Sequence, residues 1–232
     1  MPRNISLTPD LVALCERQVA DPGPNSKFTP IEPAELDELS DKLLNELDDQ
    51  ELWLFAYGSL IWKPNFAFVD QLRGTIYGWH RAFCMEQTRW RGTPRQPGLM
   101  MALEQGGCCT GVAFRLPDGK RREHVRSLVG REITVREDVG MVRWSTVYTH
   151  TGTIRALVFW AGHKGEGISL KLPLDRVAWI LARACGVAGS CASYLYQTVA
   201  KLEEFGIHDR NLWCLQELVA QEIRLLNTDK AS

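Results

Sequence analysis

The sequence predicts an α+β fold, on three observations. Apolar residues keep helical spacing through the first part of the chain, then switch near Leu52 to short β-branched and aromatic runs broken by Gly and Pro. Those runs follow one another with a single helical segment among them. The remaining helical segments come last. Strands grouped first and helices grouped last do not give the βαβ alternation of a doubly wound sheet.

Taken in order, Thr8-Pro9-Asp10 starts a helix, with Thr8 as N-cap and Pro9 at the first helical position. Leu11, Leu14, Cys15 and Val19 make its apolar stripe. Residues 21–26 (DPGPNS) are a loop. A second helix over 33–48 carries Leu36, Leu39, Leu43, Leu44 and Leu47 at helical spacing. These two helices are expected to form an N-terminal helical extension, residues 1–50, packed on a main domain of residues 51–228.

Strands are expected at 52–57, 74–85, 99–103, 110–116, 141–149 and 153–160. His150-Thr151-Gly152 reads as the hairpin turn between the last two. A helix at 119–129 interrupts the series. Three more close the chain: 174–185 ending at Gly186, 192–205 ending at Gly206, and 209–226.

Composition narrows the function classes. A net charge of −1 gives none of the basic excess that nucleic acid or an anionic membrane selects. No apolar run approaches the ~20 residues of a membrane-spanning helix. The opening segment MPRNISLTPDLVALCERQ is interrupted by Pro9, Asp10 and Glu16, so no export signal is expected. Seven cysteines without framework spacing are expected to be reduced thiols in a cytoplasmic protein. Cys108-Cys109 reads as part of a strand, one thiol on each face. No CxxC or HExxH occurs, and His80, His124, His150, His163 and His208 are scattered. No nucleotide-binding glycine pattern follows a strand. The expectation is a chain that works on a small molecule with no metal and no cofactor, and without nucleic acid or membrane as partner. Nothing in the sequence sets its oligomeric state.

One stretch carries chemistry. LWLFAYGSLIWKPNF, residues 52–66, is an apolar strand that breaks at Tyr57-Gly58-Ser59. It lacks the GxSxG pattern and βαβ setting of a nucleophile elbow, so Ser59 is not expected to attack a substrate. Gly58 lets another backbone or ligand approach closely, and the amides that follow can converge on a carboxylate or a developing oxyanion. Taken alone, the same residues also describe an ordinary polar turn.

The strings FAYGSLIWKPNF, GTIYGWHRAFCM, RGTPRQPGLMMAL, TGVAFRLP, GREI and SYLYQTVAKLEEFGIHD, in this order over residues 52–213, resemble the ChaC-type γ-glutamylcyclotransferases. The resemblance implies a small mixed β-barrel flanked by helices. It also implies cleavage of glutathione to 5-oxoproline and cysteinylglycine without metal or cofactor. The α-amine of the γ-glutamyl unit would attack its own γ-carbonyl, with one glutamate taking the proton and returning it to the leaving amine. Other γ-glutamyl amino acids or amines as substrates, or a catalytically silent γ-glutamyl-binding relative associated with cation transport, are the alternatives.

Carried over residue by residue, the resemblance places the general acid/base at Glu132, in Val129-Gly130-Arg131-Glu132-Ile133. Glu137 is the second candidate. It places the substrate cradle at Ala56, Tyr57, Gly58, Ser59, Leu60 and Ile61. Tyr194 matches the family's tyrosine opening the penultimate helix, and Arg91 in Arg91-Gly92-Thr93-Pro94 offers a planar fork for a substrate carboxylate. A core tyrosine and a loop-fixing arginine describe these two equally well. His80 and Arg81 read as structural, and Trp62, Trp79, Trp144 and Trp160 as core aromatics. Two departures stand out. Many members follow RE with lysine, glycines and tyrosine, whereas this chain reads Ile133-Thr134-Val135-Arg136-Glu137-Asp138, and Ala56 replaces a usual glycine.

Overall fold

The structure, a computed structural model of the chain, describes residues 5–160 and 171–228. His163 lies outside them. Five strands form a closed barrel in the order β1-β3-β2-β4-β5. They are β1 (Trp53–Ala56), β2 (Asp70–Gln87), β3 (Gly98–Arg115), β4 (Val142–Thr149) and β5 (Gly152–Phe159). Strand β1 runs antiparallel to β3 but parallel to β5, which makes the barrel mixed, as expected. The β4–β5 hairpin turns where His150-Thr151 predicts, with Thr149 opposite Gly152.

Two expected strands, 99–103 and 110–116, are one. Strand β3 continues through Gly106 (φ 110°) and Gly107 (φ 68°), which bend it without ending it. The His80 Nδ1 lies 3.0 Å from the Gly106 carbonyl oxygen at that bend. The glycine pair that reads as a turn in sequence is a kink in a curved barrel strand.

The chain divides into two compact units. The second holds Ser26–Ala82 and the described residues from Ala102 to 160. Its core is the barrel interior: Phe55, Ile76, Leu103, Ala113, Val147 and Ala156 are buried together, with Tyr57 and Trp79 packed against them. Helix α2 (Pro33–Leu47) starts on a reciprocal Glu32/Glu35 capping box and buries Leu39, Leu43 and Leu47. Helix α4 (Arg121–Glu132) packs on it, and Arg122 Nε reaches Asp41 at 2.6 Å. The short helix α3 (Ser59–Trp62) follows β1, and a 3-10 turn (Arg136–Met141) follows α4.

The first unit holds the described residues up to Asn25, Phe83–Met101 and those from 171 on. Helix α1 (Pro9–Ala13) starts on Thr8, as the sequence predicts, but stops after 5 residues. Val12 and Cys15 are buried while Leu14 stands 57% exposed, so the predicted stripe does not hold. Helix α5 (Leu174–Leu181) ends before Gly186. Gly186 instead sits in a two-stranded turn, β6 (Cys185–Gly186) and β7 (Gly189–Ser190). A Cβ there would lie 2.3 Å from the Arg89 carbonyl oxygen, so glycine is required by close approach and not by helix capping. Helix α6 (Cys191–Glu204) does end on its predicted glycine: Gly206 (φ 62°) and Ile207 return hydrogen bonds to Glu203 and Leu202. Helix α7 (Arg210–Thr228) closes the described chain.

Candidate active site

The cradle residues sit where β1 leaves the barrel. Ala56 is fully buried and pairs with Val112, and a Cβ on Gly111 would fall 2.3 Å from the Ala56 carbonyl oxygen. The extra methyl of Ala56 is thus held in ordinary strand conformation. Gly58 precedes α3, whose Leu60 and Ile61 are buried. The Ile61 N–H donates to the Gly58 carbonyl at 2.9 Å, and Lys63 N–H donates to Ser59 at 2.8 Å. Ile61 therefore contributes the shape of the turn, its amide being already engaged.

Glu132 is the last residue of α4. The helix end is pinned below it by buried Leu128, Val129 and Ile133. Arg131 Nε lies 3.1 Å from Glu132 Oε1, and its Nη1 donates to the Lys63 carbonyl at 2.8 Å. Arg131 thus spans from the candidate base to the residue that closes α3. Burial pushes the Glu132 carboxyl above its ordinary value, and the Arg131 guanidinium draws it only part of the way back. Its side chain as a whole remains 23% exposed.

Glu137, the same residue type five positions on, is placed differently. Its two oxygens accept the Thr29 N–H at 3.2 and 3.1 Å, and hydrogen bonding holds its carboxyl below the ordinary value. The neighbouring backbone is tied to the same segment, with Ile31 N–H donating to Thr134 and Arg136 N–H to Thr29. Glu137 is a brace for the chain after Glu132.

Arg91 and Tyr194, both in the first unit, come together. The guanidinium carbon of Arg91 lies 5.3 Å over the Tyr194 ring, and Nη1 donates to the Ser190 carbonyl at 3.0 Å. Both residues are buried, and Phe83 meets Tyr194 edge-on at 5.5 Å. Burial lowers the Arg91 pKa against the pull of Tyr194, Cys191, Glu16 and Cys185. The predicted residues therefore fall in the two units: positions 56–61 and Glu132 in the second, and Arg91 beside Tyr194 in the first.

The remaining residues singled out in the sequence are structural. Buried Arg81 donates to Cys109 Sγ at 3.2 Å and to the Thr110 carbonyl. Cys108 is exposed and Cys109 buried. Trp62, Trp79, Trp144 and Trp160 are all half-buried, and Trp79 and Trp160 pack against the barrel core as expected. Trp79 and Trp160 meet at 5.2 Å with Arg143 over both rings. A surface recess of about 290 Å³ along the β4–β5 hairpin, lined by Trp144, Thr146 and Arg155 among others, contains none of the predicted residues. Two functional candidates were missed. Arg131 was visible only as the neighbour of Glu132. Glu16 had no sequence signal at all.

The ChaC-like protein family matches residues 52–222. The chain belongs to that family. Among proteins similar to this ChaC-like chain is an Escherichia coli (strain K12) protein named glutathione-specific gamma-glutamylcyclotransferase, 36% identical over 166 residues, which covers 71% of each chain. A Mus musculus protein named glutathione-specific gamma-glutamylcyclotransferase 1 is 31% identical over 64% of this chain and 68% of its own length. A crystal structure of a yeast γ-glutamyl cyclotransferase specific to glutathione aligns with a TM-score of 0.66 at 20% identity, over 75% of this chain and 97% of that one. That likeness shows the fold.

Proposed function

We propose that this ChaC-like chain is a γ-glutamylcyclotransferase that degrades glutathione to 5-oxoproline and cysteinylglycine, with Glu132 as the proton-transfer group. The observation that carries the proposal is the Arg131 link between Glu132 and the carbonyl of Lys63, the residue that ends the short helix following the proposed cradle. It fixes a desolvated carboxyl to the chain that leaves the strand end marked by the family resemblance as the substrate cradle, two residues past that cradle.

The substrate's ammonium must lose a proton before its nitrogen can attack, and a carboxylate whose pKa lies above the ordinary range is a better acceptor for it. Attack of the nitrogen on the γ-carbon forms the new C–N bond and moves an electron pair onto the γ-oxygen. Amides of the turn at residues 57–60 are the proposed donors to that oxyanion. Collapse breaks the old C–N bond, the proton held by Glu132 passes to the departing cysteinylglycine amine, and the ring nitrogen gives up its second proton, which the freed amine takes up as its ammonium. Both reacting atoms belong to one molecule, so binding it folded supplies much of the rate. Arg91 and Tyr194 are assigned to substrate binding. None of the seven cysteines is in a disulfide, which fits the cytoplasmic setting we assign. No helix among the described residues is long and apolar enough to cross a membrane.

A second reading has its own support. The segment after Glu132 departs from the family pattern and is fastened by Thr29 and Ile31, which lie before the matched region. A pocket wall built that way can admit γ-glutamyl compounds other than glutathione.

The test is product identity. Purified protein should release 5-oxoproline from glutathione, leave N-acetyl-glutathione intact because the attacking amine is blocked, and ignore the α-linked Glu-Cys-Gly peptide. Free glutamate as the first product would defeat the cyclotransferase reading. Faster turnover of γ-glutamylalanine than of glutathione would favour the second. Turnover should survive EDTA, since the proposed steps move protons through Glu132 and place the oxyanion on backbone amides.

A further inference from the structure

Residues 5–25 precede the family-matched region, yet they are fastened across the first unit by specific polar contacts. The Leu7 N–H donates to Gln216 Oε1 at 2.9 Å, Arg17 Nη2 donates to the Arg183 carbonyl at 2.8 Å, and Asp21 takes a two-point contact from Arg89 at 2.8 Å each. Between these lies Glu16. Its carboxylate accepts the Ser190 hydroxyl at 2.7 Å and the Ser190 N–H at 3.2 Å.

Ser190 is where this arm meets the substrate-binding pair. It is fully buried and caps α6, its Oγ also accepting the Ser193 N–H at 3.0 Å. Tyr194 stands one turn further on. The Ser190 carbonyl is the acceptor that fixes Arg91 Nη1. Glu16 and Arg91 also converge over Gly189, where a Cβ would lie 3.2 Å from Arg91 Nη1 and 3.4 Å from Glu16 Oε2. Gly189 has φ 100°, so the backbone there both needs glycine and leaves room for the two charged groups. The segment bearing Arg91 is held from the same hairpin, with Val187 N–H donating to Arg89 and Ala188 N–H to Trp90. Glu16 is the carboxylate among the groups that favour the charged form of Arg91.

We propose that Glu16 is a positioning residue for the Arg91–Tyr194 pair: by holding Ser190 and balancing the buried guanidinium, it sets where Arg91 presents its remaining donors to substrate. The inference rests on the substrate-binding role assigned to Arg91 and Tyr194. It goes further in making a residue outside the family-matched region part of substrate recognition. Positioning acts on binding, so its loss appears in KM and not in kcat.

The experiment measures kcat and KM for 5-oxoproline release by wild type, Glu16→Ala, Glu16→Gln and Arg17→Ala, each with a thermal melt. Glu16→Ala should raise KM by about tenfold, the scale of one lost charge-assisted contact, with kcat changed by less than about twofold. Glu16→Gln keeps an acceptor oxygen for the Ser190 hydroxyl and should recover part of that loss. Arg17→Ala removes a neighbouring arm contact without touching Ser190 and should leave KM unchanged. A wild-type KM for Glu16→Ala overturns the proposal, and so does an equal KM rise in Arg17→Ala, which would make Glu16 one staple among several. If Glu16→Ala does not fold, Glu16→Gln decides alone, and a wild-type KM there overturns it. A wild-type protein that releases no 5-oxoproline defeats the proposed function and this inference together, which separates the two failures.

Discussion

Glu132 and Arg91 are both charged groups taken out of water, and their surroundings treat the charge in opposite ways. Glu132 has one cation beside it, keeps a partly exposed side chain, and has its charged form disfavoured by burial. Arg91 is buried more deeply, yet a carbonyl, an aromatic face and a nearby carboxylate support its charge. A guanidinium stays protonated in either case. The difference matches the work proposed for each. A group that must gain and lose a proton is left with marginal support, whereas a group that must hold a fixed charge in a fixed place is braced from several sides.

The comparison breaks most visibly at Glu132. Glu132→Gln keeps the shape of the side chain and removes the proton acceptor, so kcat should fall by about 10²–10⁴-fold, the usual contribution of a general acid/base. KM should barely move, and the variant should stay folded. Glu137→Gln should leave kcat within about twofold and instead loosen the Thr29 contact, with a small loss of stability. Steady-state kinetics on both variants decide the matter: a dead Glu137→Gln beside an active Glu132→Gln would reverse the assignment of the base.

These two glutamates also show how far sequence reaches. They sit five positions apart in one segment, and composition and periodicity cannot rank them. What separates them is the Thr29 amide, more than a hundred residues upstream, and the way Leu128, Val129 and Ile133 bury the end of α4. The α+β order, the Thr8 cap and the Gly206 helix end were legible because each is a local pattern with a local cause. Gly106-Gly107 and Gly186 were misread for the same reason. Locally they look like a turn and a cap, while barrel curvature and the approach of Arg89 decide what they do. Glu16 lies 174 residues from Ser190, and no spacing rule connects them. The proposed cradle and Glu132 were singled out only through family resemblance.

Next in size is the braced side. Arg91→Ala removes the Nη1 donor from the buried Ser190 carbonyl and the cation from the Tyr194 face. Unfolding free energy should drop by about 2–3 kcal/mol, read from the urea midpoint at constant slope. Arg91→Lys keeps charge but not the planar fork, and should recover less than half of the loss. An Arg91→Ala midpoint equal to wild type would sink the contrast between a marginal carboxyl and a braced cation.

A smaller effect follows from Arg131. The acid limb of kcat/KM should reflect Glu132, since the base must be deprotonated to accept a proton. Activity therefore rises with pH through a value above that of an ordinary carboxyl. Arg131 is the group pulling that value down, so Arg131→Ala should move the acid limb to higher pH. A limb that stays in place, or moves to lower pH, would mean that Arg131 serves only to hold the Lys63 carbonyl.

The smallest effect is one of stability, and its sign is opposite to what most active-site losses suggest. Glu132 has a folded-state pKa above its unfolded value, so between the two values the native state binds the proton more tightly than the unfolded chain does. The stabilisation from that proton is fully present below the unfolded value and is lost as pH rises through the folded value. At neutral pH wild type therefore carries the cost of a desolvated charge, only partly repaid by Arg131. Gln at this position is neutral at every pH. Glu132→Gln should melt higher than wild type at pH 7.5, by about 2 °C for a change of roughly 1 kcal/mol or less in a chain of this length. The advantage should shrink as pH falls toward 4.5, where wild type becomes neutral as well. Melting curves at several pH values read this directly. A Glu132→Gln protein less stable than wild type at pH 7.5, by the same margin at every pH, would show that the Arg131 pairing outweighs desolvation. Glu132 would then be braced much as Arg91 is.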